Sequence, residues 1–185
     1  MKYIYFLPFF ILLYSCANQG NKNKTNTSFP DLKSYFQREI KWLDSVDPEI
    51  QKTVVEGEDP IDTKFDSVDW QEELGLFELL DLAAEGNHDK FEISIDSHQQ
   101  LKTTHYIAKD TNQLIQMVSI SENAGKTNLI EAMLKTRTFT LDRDTRLSYL
   151  PGRGYGVQIS ENYIWSKPKR REIFVEIATA DFLRK

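Results

Sequence analysis

The chain has 185 residues, of which 40% are hydrophobic, and a formal net charge of −5 at neutral pH. This acidic balance disfavours nucleic acid as a partner, because a protein that binds nucleic acid presents a basic surface to the phosphates. A single cysteine excludes a disulfide bond within the chain. The folded domain is therefore expected to be independent of oxidising or reducing conditions.

The first 15 residues have the layout of a secretory signal peptide. Lys2 precedes an uncharged apolar run at 4–14, which as a helix would be about 16 Å long. Spanning a bilayer core takes roughly 20 residues, so the run is too short for a membrane-spanning helix and is typical of the hydrophobic region of a signal peptide. The alternative interpretation is a buried core helix. Residues 1–15 are predicted to be a signal peptide.

The residues LLYSC at 12–16 resemble the lipobox of bacterial lipoproteins, with Tyr14 where that pattern prefers a small residue. The resemblance implies that Cys16 receives a diacylglycerol on its thiol and that the signal peptide is removed before it. It also implies acylation of the new amino terminus, with fatty acids such as palmitate. Because one acyl chain anchors a protein only reversibly, two or three chains would give a stable membrane attachment. The alternatives for Cys16 are a disulfide partner and a buried thiol.

The next residues, ANQGNKNKTNTS at 17–28, contain no large aliphatic or aromatic side chain. Such a stretch buries too little apolar surface to order itself, and as a flexible coil it would span roughly 20 Å. Residues 16–28 are therefore predicted to be the lipidated cysteine and a tether. By resemblance to enteric lipoproteins, Ala17 in place of aspartate implies the outer membrane. In Bacteroidota lipoproteins, which the chain resembles, acidic residues just after the cysteine are associated with surface export. The Asn, Gln and Lys residues here imply by that resemblance the periplasmic face over the cell surface.

Residues 29–185 are long enough for one hydrophobic core and are predicted to form a single domain. From Leu32 the apolar residues recur with the period of one helix face. Ser28 or Asp31 is expected to cap this first helix, and Asp47 with Pro48 is expected to end it. The segments IQKTVV (50–55) and IDTKF (61–65) then predict a polar two-stranded hairpin.

A second helix is predicted from Asp69, where D-x-x-E to Glu72 resembles a capping box. Its apolar stripe is expected to comprise Trp70, Leu74, Phe77, Leu80 and Ala84. After residue 90 the apolar period changes to two, and short connections between the segments predict antiparallel strands. These segments are FEISID, LKTTHYIA, LIQMVSIS, NLIEAMLK, RTFTL, YGVQIS and EIFVEIA. The predicted fold class is α+β, with two N-terminal helices packed on one face of a six- or seven-stranded, mainly antiparallel sheet.

Three short motifs invite a chemical interpretation. NAGKTN (123–128) ends like a phosphate-binding loop, but Ile120 stands where that loop needs its first glycine, so a hairpin turn is predicted. PGRGYG (151–156) lacks the spacing of a dinucleotide-binding loop and predicts a tight turn. The basic KPKRR (167–171) predicts a solvated hairpin loop, with a lipid head group or an acidic partner as the alternative contact.

The remaining candidates predict neither a catalytic nor a metal site. His88, His98 and His105 are not spaced as zinc ligands, and no nucleophile motif accompanies them. Asp44-Ser45-Val46 and Asp66-Ser67-Val68 resemble the acceptor of Bacteroidota periplasmic O-glycosylation, although helix capping is the ordinary explanation for such residues. We expect no enzyme activity and no cofactor.

The lipobox, tether, two helices and sheet together resemble small envelope lipoproteins of Bacteroidota. The leading interpretation is a non-enzymatic envelope lipoprotein that is attached to the membrane through Cys16 and whose domain binds a partner protein or supports an envelope complex. The alternative is a carrier of apolar, lipid-like molecules in a cavity between sheet and helices. A large dry cavity favours the carrier, and a filled core favours the partner-binding module.

Overall fold

The computed structural model of the protein describes residues 29–57 and 60–178. The predicted signal peptide, Cys16 and the tether lie outside the described residues. The described helices are α1 (Leu32–Val46) and α2 (Trp70–Leu74), and α2 is followed directly by a 3₁₀ helix (Gly75–Leu79). The strands are β1 (Ile50–Glu56), β2 (Pro60–Phe65), β3 (Phe91–His98), β4 (Leu101–Ala108), β5 (Ile115–Asn123), β6 (Lys126–Arg137), β7 (Leu141–Leu150), β8 (Gly154–Tyr163) and β9 (Lys169–Ile177).

Within residues 29–57 and 60–178 the strands form one nine-stranded sheet in the order β2-β1-β9-β8-β7-β6-β5-β4-β3, and every pair is antiparallel. The α+β class and the antiparallel sheet are confirmed, but the predicted number of six or seven strands is wrong. The β1–β2 hairpin is part of the sheet, because β1 pairs with β9 along its whole length. In addition, β7 was not predicted, and the predicted strand RTFTL (137–141) falls on the turn between β6 and β7.

Helix α1 begins and ends as the sequence predicts. The Asp31 carboxylate accepts a hydrogen bond from the Ser34 backbone N–H at 2.9 Å, which caps the first turn. At the other end Asp47 adopts a left-handed conformation with φ 45°, and its N–H donates to the Leu43 carbonyl. The face that α1 turns to the sheet is buried and consists of Leu32, Phe36, Ile40 and Leu43.

The second helix is shorter than predicted. The Asp69 carboxylate caps α2 by accepting from the N–H groups of Gln71 and Glu72, as expected. The α-helical turns end at Leu74, and the chain leaves the 3₁₀ helix after Leu79 for a series of turns. The first four members of the predicted stripe are buried, whereas Ala84 lies half-buried in a turn. The change to a tighter helix still directs Phe77 inward. Side chains three residues apart share a face in a 3₁₀ helix, and Phe77 follows the buried Leu74 by three residues.

Both helices pack against the same face of the sheet, which we call the helix face. Tyr149 of β7 and Tyr155 of β8 are direct partners in the register and so point to one side. The ring centroid of Phe36 lies 5.2 Å from that of Tyr149, and that of Phe77 lies 6.0 Å from that of Tyr155. The core between the helices and the centre of the sheet is therefore filled with side chains.

Two turn motifs have the structures that the sequence predicts. In NAGKTN, Ala124 and Gly125 have φ values of 49° and 77°, and Asn123 pairs with Lys126 around them. This is the geometry of a two-residue hairpin turn. PGRGYG forms the turn between β7 and β8, and Tyr155 returns to the sheet.

Candidate binding groove

An open groove of about 720 Å³ lies on the helix face, beside the N-terminal end of α1. Its volume is within the range of typical small-molecule pockets, roughly 300–1,000 Å³. One wall is formed by the beginning of α1 and the residues before it, and the floor is formed by β4, β5 and β6. The lining residues are Pro30, Asp31, Leu32, Tyr35, Arg38, Ile95, Lys102, Thr104, Tyr106, Ile120, Glu122, Thr127 and Ile130.

The floor of the groove is mostly apolar. Thr104, Ile120 and Ile130 are consecutive partners across β4, β5 and β6, so all three side chains point to the helix face. Together with Tyr106 they are at most 9% exposed. The groove therefore offers a bound side chain or acyl segment a surface that favours apolar atoms.

The rim of the groove carries charges of both signs. Lys102 Nζ and Glu122 Oε2 are 3.5 Å apart, and Arg38 and Asp31 lie on the α1 side. Hydrogen bonds from the side chain and the backbone N–H of Ser34 hold the pKa of Asp31 below its ordinary value, so this carboxylate stays ionised. A ligand with an apolar body and polar ends matches this combination of floor and rim.

Tyr106 adds a neutral polar group to the floor. Burial raises the pKa of this tyrosine, and the nearby Glu122 carboxylate raises it further. The phenol therefore keeps its proton at neutral pH and is able to donate a hydrogen bond to a bound carbonyl or carboxylate.

Phe29, the first described residue, holds the chain beside the groove. Its ring centroid lies 4.6 Å from that of His88, 5.5 Å from that of Tyr106 and 6.2 Å from that of Phe91. These contacts place the start of the domain against β3 and β4. The first described residue therefore lies next to the groove.

The three histidines lie apart, and among the residues that the structure describes no group of three or more His, Cys, Asp and Glu is placed to hold a metal ion. His88 packs on Phe29, and His98 ends β3. His105 lies on the face opposite the helices, where its Nδ1 is 2.8 Å from Ser119 Oγ and its Nε2 is 3.3 Å from Asp96 Oδ2.

This Asp96–His105–Ser119 chain was not predicted from the sequence, because it depends on the pairing of three strands. It has the residue types of a catalytic triad, but its setting differs. Ser119 is 4% exposed and lies in the middle of β5, which pairs with β4 and β6 on its two sides. Such a serine offers a substrate little access, and the groove is on the other face of the sheet.

The remaining sequence candidates lie away from the groove. Ser45 is exposed in the last turn of α1 and donates to the Trp42 carbonyl at 2.7 Å, and Ser67 is exposed in the loop before α2. The basic segment 167–171 is only partly a loop, since Lys169–Arg171 form the first residues of β9. There the Arg171 guanidinium lies 2.8 Å from a Glu56 carboxylate oxygen.

The chain matches no protein-family model and no curated protein. Within the described ranges, none of the helices has both the length and the apolar character that crossing a bilayer demands. The groove itself was missed at the sequence level, since it is formed by residues from α1 and four strands that lie far apart in the chain.

Proposed function

We propose that this protein is a non-enzymatic envelope lipoprotein, anchored through Cys16 to the periplasmic face of the outer membrane, whose domain binds a partner protein. The open groove beside α1 is the observation that carries the proposal. Its floor is apolar and its rim carries both positive and negative charges, which suits the alternating side chains of a polypeptide segment. The lipobox and the polar tether support the membrane attachment.

The filled core supports a partner protein over an enclosed lipid. Phe36, Phe77 and Tyr149 are 0% exposed and occupy the space between the helices and the middle of the sheet. A carrier that encloses a lipid needs an internal cavity there. The groove instead lies to one side, and its mouth is open.

A carrier of lipid-like molecules is the second candidate, and one observation favours it. Ile120 and Ile130 give the floor apolar side chains within a groove of about 720 Å³, which is sufficient for one acyl segment. In that case the cations on the rim, Arg38 and Lys102, would face a lipid head group or a carboxylate.

Photo-crosslinking in intact cells separates the two candidates. A photoreactive residue replaces Thr127 at the groove in the full-length chain, and the matched control replaces Thr63, an exposed threonine of β2 at the far edge of the sheet. We expect a protein adduct from position 127 and none from position 63. A lipid adduct at position 127 would favour the carrier, and equal labelling at both positions would contradict a binding role for the groove.

A further inference from the structure

Strand β3 is one of the two edges of the described sheet, and it pairs only with β4 within the described part of the chain. Its outward backbone groups can be assigned from one hydrogen bond. The Lys109 N–H donates to the Lys90 carbonyl at 2.9 Å, and hydrogen-bonded pairs recur every second residue in an antiparallel ladder. Ser94 therefore bonds with β4, whereas the N–H and C=O groups of Ile93 and Ile95 point away from the sheet.

The same two residues present apolar side chains beside the groove. Ile93 and Ile95 are 36% and 38% exposed, and Ile95 also lines the groove. A strand added along β3 would place its own alternate side chains next to these isoleucines. Those side chains would enter the groove from its outer side.

The opposite face of β3 is acidic. Glu92 and Asp96 both point there, two positions to either side of Ser94, and the Asp96 side chain is 81% exposed. Residues 29–96 as a whole carry 19 acidic and 6 basic side chains. An added strand is therefore favoured when the residues that alternate with its apolar ones are lysine or arginine.

The other edge, β2, has the features that proteins use to prevent strand addition. It is short, begins with Pro60 and carries Lys64. Strand β3 is eight residues long and contains neither proline nor lysine. The two edges thus differ in length and in the proline and lysine that discourage strand addition.

We propose that β3 binds an extended, basic segment of the partner protein by strand addition, with apolar side chains in the groove and lysine or arginine over Glu92 and Asp96. This inference rests on the proposed function and names the chemistry of the partner. A second copy of this chain fits less well, since pairing of two β3 strands centred on Ser94 sets Glu92 against Asp96 of the other copy. Backbone hydrogen bonds supply affinity in such complexes, and alternate side chains supply specificity.

The test uses the purified full-length mature protein and a synthetic peptide of about eight residues that alternates isoleucine with lysine. The matched peptide alternates isoleucine with glutamate. We expect the lysine peptide to bind at least about tenfold more tightly. Equal affinities for the two peptides would overturn the proposal, and so would a dimer of the free protein that Ile95→Pro dissociates.

Two sets of variants locate the contact. Ile95→Pro removes an outward N–H without removing a bond to β4, and proline is tolerated on edge strands, so it should weaken peptide binding about tenfold or more. Ile95→Val keeps that N–H and should bind nearly as well as the parent. The double variant Glu92→Lys with Asp96→Lys should reverse the preference between the peptides, which keeps the proposal falsifiable if the proline variant does not fold.

Failure of strand addition at β3 can be distinguished from failure of the proposed function. If Ile95→Pro retains its circular dichroism spectrum and the protein adduct at position 127, the groove binds a partner but strand addition is wrong. If position 127 gives no protein adduct in cells, the proposed function itself is wrong. Loss of both the adduct and peptide binding in an Ile95→Pro variant that retains its circular dichroism spectrum would support both.

Discussion

The ring of Phe77, in the 3₁₀ helix, lies with its centroid 4.9 Å from that of Phe36 on α1. Phe77 also lies 5.9 Å from Tyr149 and 6.0 Å from Tyr155, measured between ring centroids. One side chain thus connects both helical segments with two central strands. The contact places the two helices on a common face and leaves the groove beside α1 rather than beneath it.

Truncation of Phe77 should therefore be costly. Phe77→Ala removes a fully buried aromatic ring, and we expect the free energy of unfolding to fall by about 3–5 kcal/mol. Leu79→Ala is the matched control, since Leu79 lies in the same turn but is 46% exposed. Chemical unfolding measures both. A loss below about 1 kcal/mol for Phe77→Ala, as is typical of surface changes, would contradict a packed core at this position.

Tyr155 predicts a specific dependence of stability on pH. Its hydroxyl donates to the Glu73 carboxylate, which also accepts from Lys52 Nζ at 2.6 Å. Burial first, and then Glu73, raise the pKa of Tyr155. The raised pKa contributes stability that is fully present below about pH 10, where a tyrosine in the unfolded chain keeps its proton. That contribution is lost as pH rises further, because the unfolded chain then releases a proton that the folded protein retains.

Denaturant unfolding measured from neutral pH to about pH 11 tests this dependence. Tyr155→Phe should be less stable than the parent at neutral pH, and its stability should fall less steeply above about pH 10. The difference between the two proteins removes the contributions of all the groups that they share. Parallel curves for parent and variant would show that Tyr155 does not carry the effect.

Two glycines should respond in opposite directions to alanine. Gly154 has a φ of 148°, and a Cβ atom there would collide with the Val175 carbonyl oxygen of the neighbouring strand. Gly154→Ala is expected to cost at least about 2 kcal/mol. Gly75 has helical angles and open space around its Cα, so Gly75→Ala should stabilise the fold by about 0.4–1 kcal/mol. Thermal unfolding of the two variants checks both signs, and a stable Gly154→Ala protein would contradict the described approach of β8 to β9.

The membrane anchor is tested at Cys16. Cys16→Ser removes the thiol that the lipobox resemblance assigns to the diacylglycerol. We expect the variant to keep its signal peptide and to incorporate no palmitate probe. Ser15→Ala is the control, because a small residue remains before the cysteine. Normal maturation of Cys16→Ser, or the absence of palmitate from the parent, would refute the lipoprotein interpretation.

Local pattern predicted the elements whose burial follows a regular period. Helix α1 and strand β4 have the predicted positions. Their inward-facing residues recur with a period of 3.6 residues in the helix and of two residues in the strand. Strand β7 was missed since LDRDTRLSYL contains four charged residues, which the sheet accommodates through pairs such as Arg143 with Glu161 at 2.6 Å. The β1–β2 hairpin joins the sheet by pairing with β9, which is far from it in the sequence. No local pattern predicts such a pairing.

The groove required information that the sequence does not display locally. Its wall and floor meet only after α1 has been positioned by Phe36 and the strands have been paired. The status of β3 as an edge likewise follows from the order of the strands, not from FEISIDSH itself. The sequence did show that residues 29–96 are acidic. That acidity becomes informative once β3 is known to be an edge strand.

Amide hydrogen exchange at three consecutive residues tests the central claim, that a partner segment pairs with β3, most directly. In the free protein Ser94 should exchange slowly and Ile93 and Ile95 quickly, because only Ser94 bonds to β4. With the isoleucine–lysine peptide bound, the amides of Ile93 and Ile95 should slow by about tenfold or more. If both exchange as quickly in the complex as in the free protein, the peptide does not add a strand at β3 and the account is wrong.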